Sequence, residues 1–194
     1  MTAAACAPQS STKTVETEQS SGSASASTDP ALPEYLARLS KSGDLYARDG
    51  DKIVDAPAPD IAVLRGYPAF QDKGPLTGPA GERLTILTAK TTYLASEEIR
   101  VIHVHEATKP GAELYVMGPK AIYGEYIDDV LVSAAAAAPP APYDGAVLPS
   151  PNADHNYEVS VHHLAPGTHR LQWRFATLSG PTVLSSNVLV IEVK

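Results

Sequence analysis

Short runs of branched and aromatic residues, separated by turns rich in Pro and Gly at spacings of roughly 8 to 15 residues, dominate the second half of this chain. A chain of such runs, with no long helical pattern between them, closes into antiparallel sheets packed face to face. A parallel βαβ scheme would have nowhere to place its helices. Leu84, Ile86 and Thr88 alternate with Thr85 and Leu87; residues 98–106 and 113–117 form two further runs, the last reached through Lys109-Pro110-Gly111. Shorter runs at 121–126 and 130–133 precede the Ala-Pro stretch 134–142, which is too proline-rich for a central strand and reads as a loop. Residues 157–164, 169–176 and 188–193 complete an expected set of about seven to nine strands.

The first half is patterned differently. Leu32, Tyr35, Leu36 and Leu39 follow helical spacing, with Pro33 and Glu34 in the first turn and Gly43 near the stop, which predicts one short amphipathic helix. Asp49-Gly50 is a turn signal that joins two short strands around Leu45-Tyr46 and Ile53-Val54. Ile61-Ala62-Val63-Leu64 reads as an edge strand followed by a loop over 66–81. Residues 7–28 contain one apolar side chain larger than Ala, Val15, too little to offset the entropy of ordering. As a flexible coil of that length the segment would reach about 25 to 30 Å. The expected division is a disordered tether over 1–29, a helix and Pro/Gly-rich extension packing on the domain over 30–83, and an antiparallel β-sandwich over 84–194.

Bulk properties exclude several classes. A formal charge of -7, with 15 basic residues scattered along the chain, argues against a phosphate-backbone partner, so no nucleic acid is expected. No apolar run approaches the length needed to span a bilayer. With a single cysteine, Cys6, no intramolecular disulfide can form, and the core alone must hold the fold.

Two resemblances add to this reading. Small residues running into Cys6, followed by a polar tether, resemble the processing site of a bacterial lipoprotein, which implies lipidation of Cys6 and a membrane anchor. The resemblance also implies a place in the cell envelope, in the periplasm or at the cell surface, and Ala7, being non-acidic, favours the outer membrane. Further on, Asn156-Tyr157-Glu158-Val159-Ser160-Val161, then Leu164-Ala165-Pro166-Gly167-Thr168-His169, then Leu171-Gln172-Trp173, resemble immunoglobulin-like and fibronectin-type modules of bacterial surface proteins. This implies an immunoglobulin-like sandwich over about 84–194. The cysteine pair that bridges the sheets of an antibody domain is missing, and Trp173 lies late, after the corner, so the likeness is to the architecture.

Candidate chemistry is sparse. His103 and His105 lie two apart on an expected strand, so they share one face about 7 Å apart, and His162 or His163 on a neighbouring strand offers a third metal ligand. Ile99 and Val101 share that face, which suggests instead a core end and a wetter end with ordinary, partly exposed histidines. Asp144, Asn152, Asp154 and Asn156 supply oxygen donors suited to Ca²⁺, although Asx-turns that fix a long connection explain the same residues. Asp128-Asp129 and Glu97-Glu98 are adjacent pairs pointing to opposite faces and read as solvated turns, not as a glycosidase pair. No G-x-S-x-G or phosphate-cradling loop occurs. Tyr115, Tyr123, Tyr126 and Tyr143 offer rings for a binding surface, or fill the margin of a sandwich.

The expected protein is therefore non-catalytic and needs no cofactor. Its leading role is protein-protein interaction or assembly in the envelope, with one envelope protein as partner and the membrane reached through Cys6. The alternatives are a small-ligand or carbohydrate-binding module, and a metal-binding protein using His103 and His105.

Overall fold

Residue 99 begins a strand with almost no exposed side chain, and the remaining elements are arranged around it. The computed structural model describes residues 1, 31–116, 118–133, 146–176 and 183–194. Leu32–Lys194 form one compact unit, grouped apart from Met1–Ala31. Cys6, Tyr143, Asp144 and the Ala-Pro stretch 134–142 lie outside the described residues. Among those described, the protein is mostly β, with antiparallel sheets and two short α-helices.

The chain enters through helix α1 (Glu34–Lys41), with Glu34 in its first turn and Arg38 and Lys41 in its last, charges that complement the helix dipole. Leu36 and Leu39 face inward, whereas Leu32, expected on the same stripe, stays half exposed ahead of the helix. Strands β1 (Tyr46–Asp49) and β2 (Lys52–Asp55) pair across the turn that Asp49-Gly50 announces. Residues 61–64 do not form the expected edge strand. They belong to helix α2 (Ala58–Arg65), opened by Pro57 and Pro59, with Asp60 in the first turn and Arg65 in the last. Asp60, Leu64 and Tyr67, the last in the 3-10 turn Tyr67–Ala69, recur at helical spacing and are buried. Helix-start chemistry outweighs the branched residues Ile61 and Val63.

The strands that follow are β3 (Glu82–Leu87), β4 (Thr92–Tyr93), β5 (Ile99–Ala107), β6 (Glu113–Val116), β7 (Glu125–Ile127) and β8 (Val130–Leu131). After 134–145 come β9 (Ala146–Pro149), β10 (Asn152–Asp154), β11 (Ser160–His162), β12 (Gly167–Ala176) and β13 (Val183–Val193). One sheet centres on β5, which pairs antiparallel with β3, β10 and β11. The registers of β10 and β11 differ by only two residues, so they act as two halves of one interrupted strand. The second sheet runs β4-β13-β12-β7-β8, with β4 parallel to β13 and the other pairs antiparallel. Strands β6 and β9 form a separate pair.

Side chains on β5 alternate between two cores. Ile99 and Val101 enter the core between the two large sheets with Leu84, Ile86, Leu171, Trp173 and Ile191. Ile102 and Val104 point the other way, into a core completed by Leu36, Leu39, Leu64 and Tyr67 from the helical segments. A strand covered on both faces lacks the apolar/polar alternation of a half-solvated strand, and β5 carries apolar residues on each face. The irregular pairing of β13 with β12 around Gln172/Arg174 presents Asn187 to β3, where its side chain accepts from Ile86 N–H (2.9 Å) and donates to Ile86 C=O (3.1 Å). Asp128 and Asp129, both at positive φ (51° and 65°), make the two-residue β7–β8 turn.

Because Leu64 is fully buried in the second core, Leu64→Ala should lower stability by about 2–5 kcal/mol. A urea unfolding midpoint that did not move would mean that α2 does not seal this core.

Candidate functional site

The most concentrated ionisable group in the interior lies between the two large sheets. Glu125, 2% exposed, projects from β7. Ser160 Oγ donates to its Oε1 at 2.7 Å, and His162 Nε2 lies 3.0 Å from Oε2. His103 Nε2 approaches Oε1 at 3.2 Å, but off the hydrogen-bond direction, so that contact is electrostatic. Burial alone would raise the Glu125 carboxyl; His103, His162 and Ser160 together outweigh it and hold the group well below the usual carboxylate range. The His103 ring also packs edge-on against Trp173, 5.0 Å between centroids. Ser160 donates to the glutamate, not to a histidine, so the arrangement fixes an ionised carboxylate and activates no nucleophile.

His103 and His105 do share a face, but not a focus. His105 pairs with Glu82 (3.2 Å) and lies beside Phe175, while His103 meets His162 only through Glu125. The expected wetter end of that face does not exist: both rings are buried, because the second sheet covers β5 along its length. Among the described residues, no group of three His, Cys, Asp or Glu side chains is arranged to hold a metal ion.

Of the oxygen donors proposed for Ca²⁺, Asp144 lies outside the described residues, and Asn152 and Asp154 are committed to contacts within the chain. Asp154 is buried on β10; one oxygen pairs with Lys120 and the other accepts Asn156 N–H (3.0 Å), the local turn anticipated for this segment. Asn152 accepts Ala153 N–H at 3.0 Å. Tyr143 lies outside the described residues, and the described tyrosines of that set are not assembled into one sheet: Tyr115 falls on β6, whereas Tyr126 falls on β7, its ring covered by Arg174 at 4.3 Å. Tyr123 contributes its carbonyl to the Trp173 indole N–H (2.9 Å).

A second polar node, invisible in sequence spacing, lies on the opposite face of β5. Glu106, fully buried, receives Tyr35 O–H (2.6 Å), Tyr67 O–H and Arg83, whose Nη2 stands 2.6 Å away. Burial, and then the Glu106 charge, raise both phenols well above their ordinary value. Arg100, at the other end of the same face, grips Asp60 of α2 with two nitrogens.

Two surface features remain. A groove of about 220 Å³ opens where α1, β1 and the segment after β10 meet, and its lining includes Arg38, Ser42, Asp44, Tyr46, His155 and Asn156. On the other side of the second sheet, edge strand β8 and the residue after it expose Val130, Leu131 and Val132 in succession, at 63%, 38% and 46%. Among the described residues, no helix is long and apolar enough to cross a membrane. Compared with known proteins, the chain matches no family model, no curated protein and no solved structure.

The depressed Glu125 carboxyl gives stability that is fully present above the unfolded value, about 4.5, and is lost as pH falls below it toward the folded value. Glu125→Gln should therefore lower stability at pH 7 by about 2–3 kcal/mol and flatten the acid limb of the stability curve. Urea unfolding at pH 7 and pH 3 measures both; an unaltered acid limb would remove Glu125 as its source.

Proposed function

We propose that this protein is a non-catalytic recognition module of the cell envelope, held to the membrane by lipid on Cys6, whose immunoglobulin-like sandwich binds another protein. Strand order supports the architecture. In an immunoglobulin sandwich one sheet carries strands A, B and E, and the other G, F and C with an added C′. Here β3, β5 and β10/β11 follow the first order, and β13, β12, β7 and β8 the second, each met in the same sequence along the chain. On this correspondence His103 and Trp173 occupy the two strands that an antibody domain joins by its disulfide.

The observation that carries the recognition role is the exposed row Val130-Leu131-Val132 at the edge of the second sheet. Sheet edges are templates for pairing, and folded proteins usually blunt them with charge or proline. This edge carries three branched apolar residues instead, the pattern used when a partner strand adds to a sheet.

A photo-crosslinking residue at Val130, placed in the protein within intact envelopes, should capture one discrete partner, and Leu131→Lys should abolish the adduct. Equal capture from a control position at Glu192 would defeat the assignment of this edge. Lipidation is checked separately: mass spectrometry of the mature envelope form should find Cys6 acylated, and Cys6→Ser should release the protein from membranes. An unmodified thiol in membrane-associated protein would sink the anchor.

A further inference from the structure

Four residues of the groove beside α1 form an acceptor-rich set that nothing in the fold uses. His155 Nε2 lies 2.6 Å from the Asp44 carbonyl oxygen, which can only accept, so Nε2 carries the hydrogen. Burial, which outweighs the contacts with Asp44 and Asp154, pushes the His155 pKa down and keeps the ring neutral near pH 7. Nδ1 is then a bare acceptor, and it is buried with no hydrogen-bond partner. Oδ1 of the next residue, Asn156, is a second buried acceptor in the same condition. Each unmet buried acceptor costs about 1–3 kcal/mol. The Ser42 hydroxyl donates to Arg38 C=O at 3.0 Å, which leaves its oxygen only acceptor capacity, and Asp44 is an exposed residue.

The rest of the lining narrows the ligand. Arg38 and Asp44 contribute opposite charges and His155 none, so the groove is formally neutral and does not select an ion. The Tyr46 ring, 37% exposed, offers a flat apolar face. A volume of about 220 Å³ is below the range of roughly 300–1,000 Å³ typical of drug-sized ligands. A neutral ligand of one ring, with several O–H donors on its rim and C–H groups on its face, meets all these conditions.

We propose that this groove binds a single sugar residue, with hydroxyls donating to His155 Nδ1, Asn156 Oδ1 and Asp44, one oxygen accepting from Arg38, and the ring lying on Tyr46. The site is separate from the β8 edge and stands or falls without it.

The test is ligand-observed and ¹⁵N NMR of the full-length protein against a panel of neutral monosaccharides and their methyl glycosides, with ethanolamine as a cationic control. At least one sugar should bind and shift the His155 imidazole nitrogen resonances. Asn156→Leu and Tyr46→Ala should each weaken that binding about tenfold or more, while Tyr46→Phe, which keeps the ring, should bind as the parent does. Melting temperature of each variant separates loss of the site from loss of the fold. Silence across the panel, preference for ethanolamine, or full affinity in a folded Asn156→Leu protein would each overturn the proposal.

Discussion

A strand covered on both faces leaves its polar side chains little access to water, and β5 carries four: Arg100, still partly exposed, and the buried His103, His105 and Glu106. Each must be matched by another part of the chain, because an unpaired buried charge costs several kcal/mol. The partners come from everywhere. Asp60 on α2 meets Arg100; Tyr35 on α1, Tyr67 in the 3-10 turn and Arg83 on β3 meet Glu106; Glu82 meets His105; Glu125 on the second sheet meets His103. Apolar burial brings the layers onto β5 without choosing their angle. The polar contacts choose it, since a carboxylate held by three directional donors tolerates little sliding.

The two faces use this constraint differently. On the helical side, Arg100 and Glu106 lie six residues apart on one face, so α2 is fixed near one end of the strand and α1 near the other. On the sheet side, Glu125 and Asn187 reach across from β7 and β13 and are answered by β5, β11 and β3. Trp173, fully buried and in contact with His103 and Tyr157, fills the space between those polar ties. If the sandwich is immunoglobulin-like, as proposed, the work of a covalent bridge between sheets is shared here by an aromatic contact and a hydrogen-bonded carboxylate. That solution suits a chain with a single cysteine, which can form no intramolecular disulfide.

Much of this was legible in the residues, and the parts that were not share a cause. Strands β3, β5, β12 and β13 announce themselves because their branched residues alternate or run uninterrupted, and α1 and the Asp49-Gly50 turn through local chemistry. Strand β10 was hidden: Asn152-Ala153-Asp154 has turn composition and becomes a strand only because β5 offers an open edge. Residues 61–64 misled in the opposite direction, since Ile and Val favour strands while Pro57, Pro59 and Asp60 start a helix. The His103/His105 spacing correctly put both rings on one face, but spacing says nothing about what lies opposite. Glu125 and Glu106 carried no motif at all; only pairing between strands distant in sequence gives them their partners.

Buried polar atoms without a hydrogen bond fall in two places among the described residues: the His103 ring nitrogens beside Glu125, and His155 Nδ1 with Asn156 Oδ1 at the edge of the helical layer. At the centre of the fold, carboxylates on strands are reached from several sides and are saturated with donors. At the seam between α1 and the end of β10, a carbonyl consumes the His155 N–H, an Asx contact consumes the Asn156 backbone N–H, and His155 Nδ1 and Asn156 Oδ1 stay without a hydrogen bond. The helix docks through apolar residues and one phenol, and its Arg38 lines the groove without hydrogen-bonding either acceptor. The deficit is thus a consequence of how the helical layer closes on the sheet, and it gives the groove a chemical preference that its modest size and neutral charge would not supply alone.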